Sequence, residues 1–266
     1  MLLTFFLVVI QYICCDKIII RELSIPLSSY PKHLPPIKLA VISDLHGGGV
    51  VHLEQIAKVV ERTNELRPDV ILFVGDAVDG PRSQLEDLMK PLKFLQSKYG
   101  TYFVTGNHEY FYGDAMEWID LFNNSYGMNV LDNKVVHINN ICIVGLNDIS
   151  SNRSGITNHS FRLEALLECN SNSPIILMHH NPIIADKIVR YTNENNLPLE
   201  LILSGHTHSG QIYAMTPYTY FLLPYCYGFY QMHDSNAKLL VSAGTFYQGS
   251  PLKMPGRSEI WLITIS

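Results

Sequence analysis

From Lys38 onward the chain is punctuated by short apolar runs that each stop abruptly at polar side chains. K-L-A-V-I (Lys38 to Ile42) carries no charge after Lys38 and includes β-branched Val41 and Ile42, which predicts a strand buried on both faces. Beyond it stand Asp44 and His46. Alternation along extended chain would aim both to one side while Leu45 turns to the core, and Gly47, Gly48 and Gly49 would release the backbone into a loop. Val70 to Val74 ends in G-D-A-V-D, Thr101 to Thr105 in G-N-H-E, Ile175 to Met178 in H-H-N-P, and Leu199 to Leu203 in S-G-H-T-H.

Helical spacing fills the intervals. Leu53, Ile56, Ala57, Val60 and Leu66 recur on one face before Pro68, and Leu85 to Leu95 forms a second helical stretch. Phe161, Leu163, Leu166 and Leu167 predict a third, and Ile183, Ile184, Ile188 and Val189 a fourth. Val135 to Ile138 and Ile141 to Val144 flank Asn139-Asn140, a two-residue hairpin signal that brings in antiparallel strands. Ile18 to Leu27, with Pro26 in it, reads as an edge strand. Leu239 to Ser242 and Ile260 to Ile265 close the chain with strand-like runs. Strands that alternate with helices and end in polar residues define an α/β fold with its site at the carboxyl ends of the strands.

The first segment departs from this pattern. Leu2 to Cys15 is almost wholly apolar until Asp16 and Lys17, about 14 residues against the roughly 20 that a straight spanning helix needs. A signal peptide, a short membrane anchor, the remnant of a longer membrane region and a buried helix all fit it. Residues 1–15 are therefore read as an apolar leader, 16–36 as an edge strand with a Pro-rich lead-in, and 37–266 as one domain.

The chain of 266 residues has a net charge of -5 and no basic stripe, which excludes nucleic acid as a partner. Of five cysteines, Cys14 and Cys15 lie in the leader. Cys142, Cys169 and Cys226 are odd in number with no C-x-x-C spacing, which predicts neither a disulfide framework nor a zinc finger. Asn123, Asn152 and Asn158 head N-x-Ser sequons that matter only in a lumen or outside the cell.

Five strand ends carry side chains of metal-ligand type, and His46, His108, His180, His206 and His208 of the eleven histidines fall there. D-L-H at Asp44, G-D-A-V-D at Gly75, G-N-H-E at Gly106, H-N-P at His180 and G-H-T-H at Gly205 resemble, in order, the motifs of the calcineurin-like metallophosphoesterase superfamily. The resemblance runs from about Ile37 to the end, through V-L-D-N, V-G-L-N-D and S-E-I. In this detail the chain is most similar to the transmembrane metallophosphoesterase-domain proteins and their bacterial membrane-associated relatives. It implies a layered α/β sandwich of mixed β-sheets flanked by helices.

The resemblance further implies that Asp44, His46 and His208 bind one metal, that Asn107, His180 and His206 bind a second, and that Asp76 bridges both. Imidazole and carboxylate ligands without thiolate suit two divalent ions of manganese, iron or zinc. A metal-bridging hydroxide would then hydrolyse a phosphodiester or small phosphomonoester. In extended chain His108 points away from Asn107, towards a leaving group, which would make it the general acid, with Asp79 orienting it by resemblance. A non-catalytic binding or scaffold domain is the rival reading.

His179 and His180 adjoin, and the spacing His-x-Pro selects His180. Ser209 and Lys253 stand where relatives often have Gly and Arg, beside the phosphate's flanking groups. Gly80 and Thr105 replace the arginines of protein phosphatases, which favours a small-molecule or lipid-type phosphoester over a protein. The aromatic segment from Tyr213 to Tyr230, read as non-helical, would wall a pocket, lie at a membrane surface, or cover the sheet edge. Membrane association of the first 15 residues follows from the likeness to membrane proteins, with a secreted or luminal location the other outcome.

Overall fold

The computed structural model describes residues 2–266; Met1, the first residue of the leader, lies outside the described residues. The chain begins with α1 (Leu2–Cys14) and β1 (Ile19–Ile25). It continues through β2 (Ile37–Ile42), the two-residue β3 (Gly47–Gly48), α2 (Leu53–Glu65), β4 (Val70–Val74), the two-residue β5 (Val78–Asp79), α3 (Arg82–Met89), β6 (Thr101–Val104), α4 (Ala115–Asn124) and β7 (Met128–Val130). Next come β8 (Lys134–Ile138), β9 (Ile141–Gly145), β10 (Ile175–Met178), α5 (Ala185–Glu194), β11 (Leu199–Ser204), α6 (Thr216–Leu222), β12 (Gly228–Gln231), β13 (Lys238–Val241) and β14 (Glu259–Ile265).

Two six-stranded sheets result, in the orders β1-β14-β2-β4-β6-β7 and β12-β13-β11-β10-β9-β8. Each is mixed: β2, β4, β6 and β7 run parallel while β14 is antiparallel to β2, and β8 and β12 pair antiparallel at the two edges of the second sheet. Asn139 and Asn140 both take left-handed φ at the β8–β9 turn, as the hairpin signal requires.

Strand alternation explains why the sheets face each other. Leu39, Val41, Leu72 and Val74 of the first sheet meet Ile143, Ile176, Met178, Leu201 and Leu203 of the second in one buried cluster. The intervening Ala40, Ile42, Ile71 and Phe73 turn outward to a cluster with Ile56, Val59 and Val60 of α2 and Trp118 and Phe122 of α4. Val144, Ile175, Leu177 and Ile202 turn the other way, towards Ile188 and Val189 of α5. The protein is thus a helix–sheet–sheet–helix sandwich, which is the layered α/β architecture expected.

Several local expectations are corrected. Cys142 and Cys169 form a disulfide. Alternation sends Cys142 of β9 to the outer face, where Cys169 sits behind the 3-10 turn of Leu163–Glu168, so the two meet in one cluster although their spacing carries no motif. Part of the aromatic segment is helical, because Pro217 occupies the first turn of α6. Leu85 to Leu95 is not one helix: α3 ends at Met89, and Lys90–Phe94 tightens into a 3-10 helix containing Pro91. Pro26 lies outside β1, which does form an edge, pairing with β14.

The leader is a helix whose side chains are mostly exposed, apart from buried Gln11. Among the described residues no helix is long and apolar enough to cross a membrane.

Candidate metal centre

The site residues converge where the strands of both sheets end. β2 stops at Ile42, so Asp44 and His46 are not brought together by strand alternation. Both take left-handed φ of 51°, as do Asp76 (53°), His206 (73°) and His208 (50°). Such backbone is uncommon for residues with a Cβ and concentrates where a site over-determines it. Pairing of β3 with β5 then fixes the loops together, Gly48 opposite Asp79, and the backbone N–H groups of Asp44 and His46 donate to the carbonyls of Gly75 and Asp76.

Glycine is required where the carboxylates lie against backbone. A Cβ on Gly205 would fall 2.2 Å from Asp44 Oδ2, and one on Gly106 2.2 Å from Asp76 Oδ1. Either would displace a candidate ligand.

Hydrogen bonds at Nδ1 of His46 and His180 turn the Nε2 of each ring into the site. His180 Nδ1 donates to the Val74 carbonyl at 2.7 Å, which turns Nε2 inward, 3.0 Å from Asp76 Oδ2 but not aligned with it as a hydrogen bond. His46 Nδ1 bonds Asp79 Oδ1 at 2.7 Å, and its Nε2 faces His208 Nε2 at 3.0 Å. His206 Nδ1 lies 2.8 Å from Asn107 Oδ1. Asp44 Oδ1 accepts from His206 N at 2.9 Å, whereas Asp44 Oδ2 is buried with no partner among the described residues.

Three sets of ligand atoms each lie within 4.8 Å of one another: Asp44, His46 and His208; His46, Asp76 and His108; Asp76, His180 and His206. Asp76 belongs to two of the sets. Lone pairs and carboxylate oxygens crowded together in a buried volume repel one another unless a proton or a cation lies between them. The donor set and the orphaned Asp44 oxygen therefore fit divalent ions.

The electrostatics agree. Burial opposes ionisation of Asp44, yet His208 and His180 hold its carboxyl below the usual range; Asp76 is held below it too, chiefly by His180. Burial brings His208 down to about 3, and it lowers His206 as well, so both are neutral donors near pH 7. His180 is the exception, raised well above its ordinary value against burial by Asp76.

His108 does not extend away from Asn107; the chain turns into a 3-10 helix there. Its Nδ1 lies 2.6 Å from Asp79 Oδ1, the oxygen that also bonds His46, and its Nε2 is 3.9 Å from Asp76 Oδ2. Burial works against its charge, but the contact with Asp79 and the charges of Asp76 and Asp79 raise its pKa.

Of the adjacent histidines, His180 is the one that joins the cluster with Asp76 and His206. Met178 faces the space between the sheets and so does His180, whereas the His179 ring packs 5.3 Å from Phe161 on the outer side. Neither of its nitrogens finds a hydrogen-bond partner among the described residues, and burial lowers its pKa to about 4.

Other residues take roles that spacing did not reveal. Glu109 is fully buried and accepts from the backbone N–H of Gly106, Asp76 and Ala77, which ties the second and third strand ends together. Lys253 turns inward rather than towards a phosphate: its buried Nζ donates to the carbonyls of Gly244 and Phe246, and burial lowers its pKa to about 7. Gln248, which no motif marked, places its side-chain amide 2.8 Å from His108 Nε2. Only closure of the β13–β14 loop over the site brings it there. Asp132, in the V-L-D-N stretch, holds His159, which reaches Tyr110 at 2.8 Å beside the site.

A helix–sheet–sheet–helix sandwich with an Asp/His cluster at its strand ends is the architecture of the metallophosphoesterases. Residues 37–210 match the model of the calcineurin-like phosphoesterases, and the chain belongs to that family. It is 38% identical over 253 residues to a Caenorhabditis elegans protein named as a metallophosphoesterase, covering 93% of this chain and 52% of that protein. It is 36% identical over 252 residues to a transmembrane protein with metallophosphoesterase domain from Bos taurus, covering 91% and 55%. The chain thus spans about half the length of these relatives. Among solved structures, a dimetal phosphatase from Danio rerio shares the fold with a TM-score of 0.51 at 13% identity, covering 82% of this chain and 90% of that one.

Proposed function

We propose that the chain is a two-metal-dependent phosphoesterase acting on a phosphodiester or small phosphomonoester. The observation that carries this is the shared position of Asp76, whose carboxylate sits within ligand distance of His46 on one side and of His180 and His206 on the other. On this reading Asp44, His46 and His208 hold one ion, Asn107, His180 and His206 the other, and Asp76 both. Bound divalent ions of manganese, iron or zinc would activate water and neutralise the phosphoryl oxygens.

The chain's own residues supply the rest. Asp79 holds His46 in the tautomer that presents Nε2 inward, and with the same oxygen stabilises protonated His108. His108 gives its Nε2 proton to the departing ester oxygen, and the Gln248 side-chain amide then donates to the neutral Nε2 that is left. Glu109 keeps the Asp76 and Gly106 loops in register through backbone bonds, without touching the reacting atoms.

The test is turnover of bis(p-nitrophenyl) phosphate by the purified chain with added Mn²⁺. Nitrophenol release that chelator abolishes and metal restores is expected. A folded, metal-loaded chain that turns over neither this diester nor nitrophenyl phosphate would leave a scaffold role instead.

A further inference from the structure

We propose that α1 and α6 together form a lipid-docking face beside the site, and that the phosphoester it hydrolyses is the headgroup of a membrane lipid. Two sequence stretches with no charged residue, Leu2–Cys15 and Gln211–Tyr230, are brought side by side. The buried Gln11 side chain accepts from the Tyr213 backbone N–H at 3.0 Å, and its carbonyl accepts from Lys253 N at 3.4 Å.

On α1 the side chains of Leu2, Leu3, Phe5, Phe6, Val8, Tyr12 and Ile13 are exposed, and at about 100° per residue they span about 220° of the helix circumference, more than half. A partner helix would bury one stripe of roughly 100° and leave the remainder in water, whereas acyl chains coat a helix on every side. On α6 Tyr218, Tyr220 and Leu222 are exposed and Phe221 is 88% exposed. Tyrosines flanking aliphatic and phenyl side chains are the composition of a membrane–water boundary. At 13 residues and about 1.5 Å per residue, α1 reaches about 20 Å, deep enough to enter one leaflet and too short to cross about 30 Å of hydrocarbon.

This face is joined to the chemistry. α6 follows directly on His206 and His208 and packs on the turn that carries His208. Gln211 exchanges two hydrogen bonds with the Gln248 backbone, at 2.8 and 3.0 Å, and the Gln248 side chain meets His108. At the base of α1 a cleft of about 480 Å³ separates Tyr12 and Ile13 from Val50 and Tyr247, on the loops that follow His46 and Gly244. A lipid anchored at α1 and α6 therefore has its headgroup on the side of His108. Because the face has no cation, docking draws on apolar burial rather than on anionic lipid.

The substrate half of the proposal rests on the phosphoesterase reading above; the docking half does not. The experiment is flotation of the full chain with neutral phosphatidylcholine vesicles, with and without phosphatidylserine. It is followed by phosphate-ester release from lipid in those vesicles and from bis(p-nitrophenyl) phosphate in solution. Wild type should float equally with both vesicle types, with or without metal. Phe6→Asp with Phe221→Asp should reduce flotation at least about tenfold and lipid hydrolysis with it, while the soluble diester is cleaved at the wild-type rate. Wild type that stays with the soluble protein, that floats only with phosphatidylserine, or that pairs with itself through this face and ignores vesicles overturns the docking site. Vesicle binding with cleavage of the soluble diester but none of lipid overturns the substrate. Flotation with no turnover of any ester leaves the docking face standing and removes the enzymatic reading alone.

Discussion

The two sheets contribute different chemistry to one site. The first supplies everything anionic, Asp44, Asp76 and Asp79, together with the imidazole of His46, the amide of Asn107 and the candidate acid His108, from the ends of β2, β4 and β6. The second supplies only imidazoles, His180, His206 and His208, from the ends of β10 and β11. Burial keeps His206 and His208 neutral while the first sheet's carboxylates stay ionised, so on the proposed reading one sheet would bring the charge that attracts cations and the other would complete their shells. Substitutions of the first sheet's carboxylates should therefore remove charge, and those of the second sheet's histidines a single lone pair.

The largest effect is expected for Asp76→Asn. The Asp76 carboxylate belongs to two of the three sets of ligand atoms, one with His46 and one with His180 and His206, so metal analysis should find both ions weakened and turnover lost, whereas His180→Ala should cost one ion. Equal metal loss in the two variants would erase the distinction between the sheets.

His108→Ala should slow alkyl phosphodiesters by about 10² to 10⁴ while leaving nitrophenyl esters and metal content nearly unchanged, because only a leaving oxygen of high pKa needs a proton. The pH profile sharpens this. A raised pKa keeps His108 protonated to higher pH, so the alkyl-ester rate should fall only above the pH at which a free imidazole loses its proton. Asp79→Asn should move that falling limb to lower pH. Because Asp79 also orients His46, the same change should weaken metal binding about 10- to 100-fold. A limb that stays in place would separate Asp79 from the acid.

Gly205→Ala tests the crossing point of the two sheets, since its Cβ would overlap Asp44 Oδ2 from the second sheet's side. Metal titration should show a loss smaller than for Asp76→Asn. His179→Ala should be the mildest, with both ions and the rate retained, because that ring packs against Phe161 outside the site.

Those expectations draw unevenly on what the sequence disclosed. The strand ends were legible because each apolar run stops at a ligand-type side chain, and strand parity also separates His180 from His179. How Asp44 and His46 converge was not, since it depends on left-handed turns that alternation does not encode. Gln248 depends on the last loop crossing to His108 beyond β6, a contact between distant segments that local pattern cannot carry, and Lys253 turns inward to carbonyls of its own loop, a fold-back that no periodicity marks. The Cys142–Cys169 bond was hidden for a related reason: the two cysteines share a face only once β9 has its neighbours. Pro217 could have disclosed α6, but the density of tyrosine, proline and glycine around it outweighed a single first-turn signal.

The central claim is that two ions shared through Asp76 perform the hydrolysis. Calorimetric titration of the metal-free chain with Mn²⁺, with bis(p-nitrophenyl) phosphate turnover followed on matched samples, tests it most directly. The account predicts two equivalents bound per chain and turnover that rises with the second. Full turnover at one equivalent, or two equivalents bound without turnover, would contradict it.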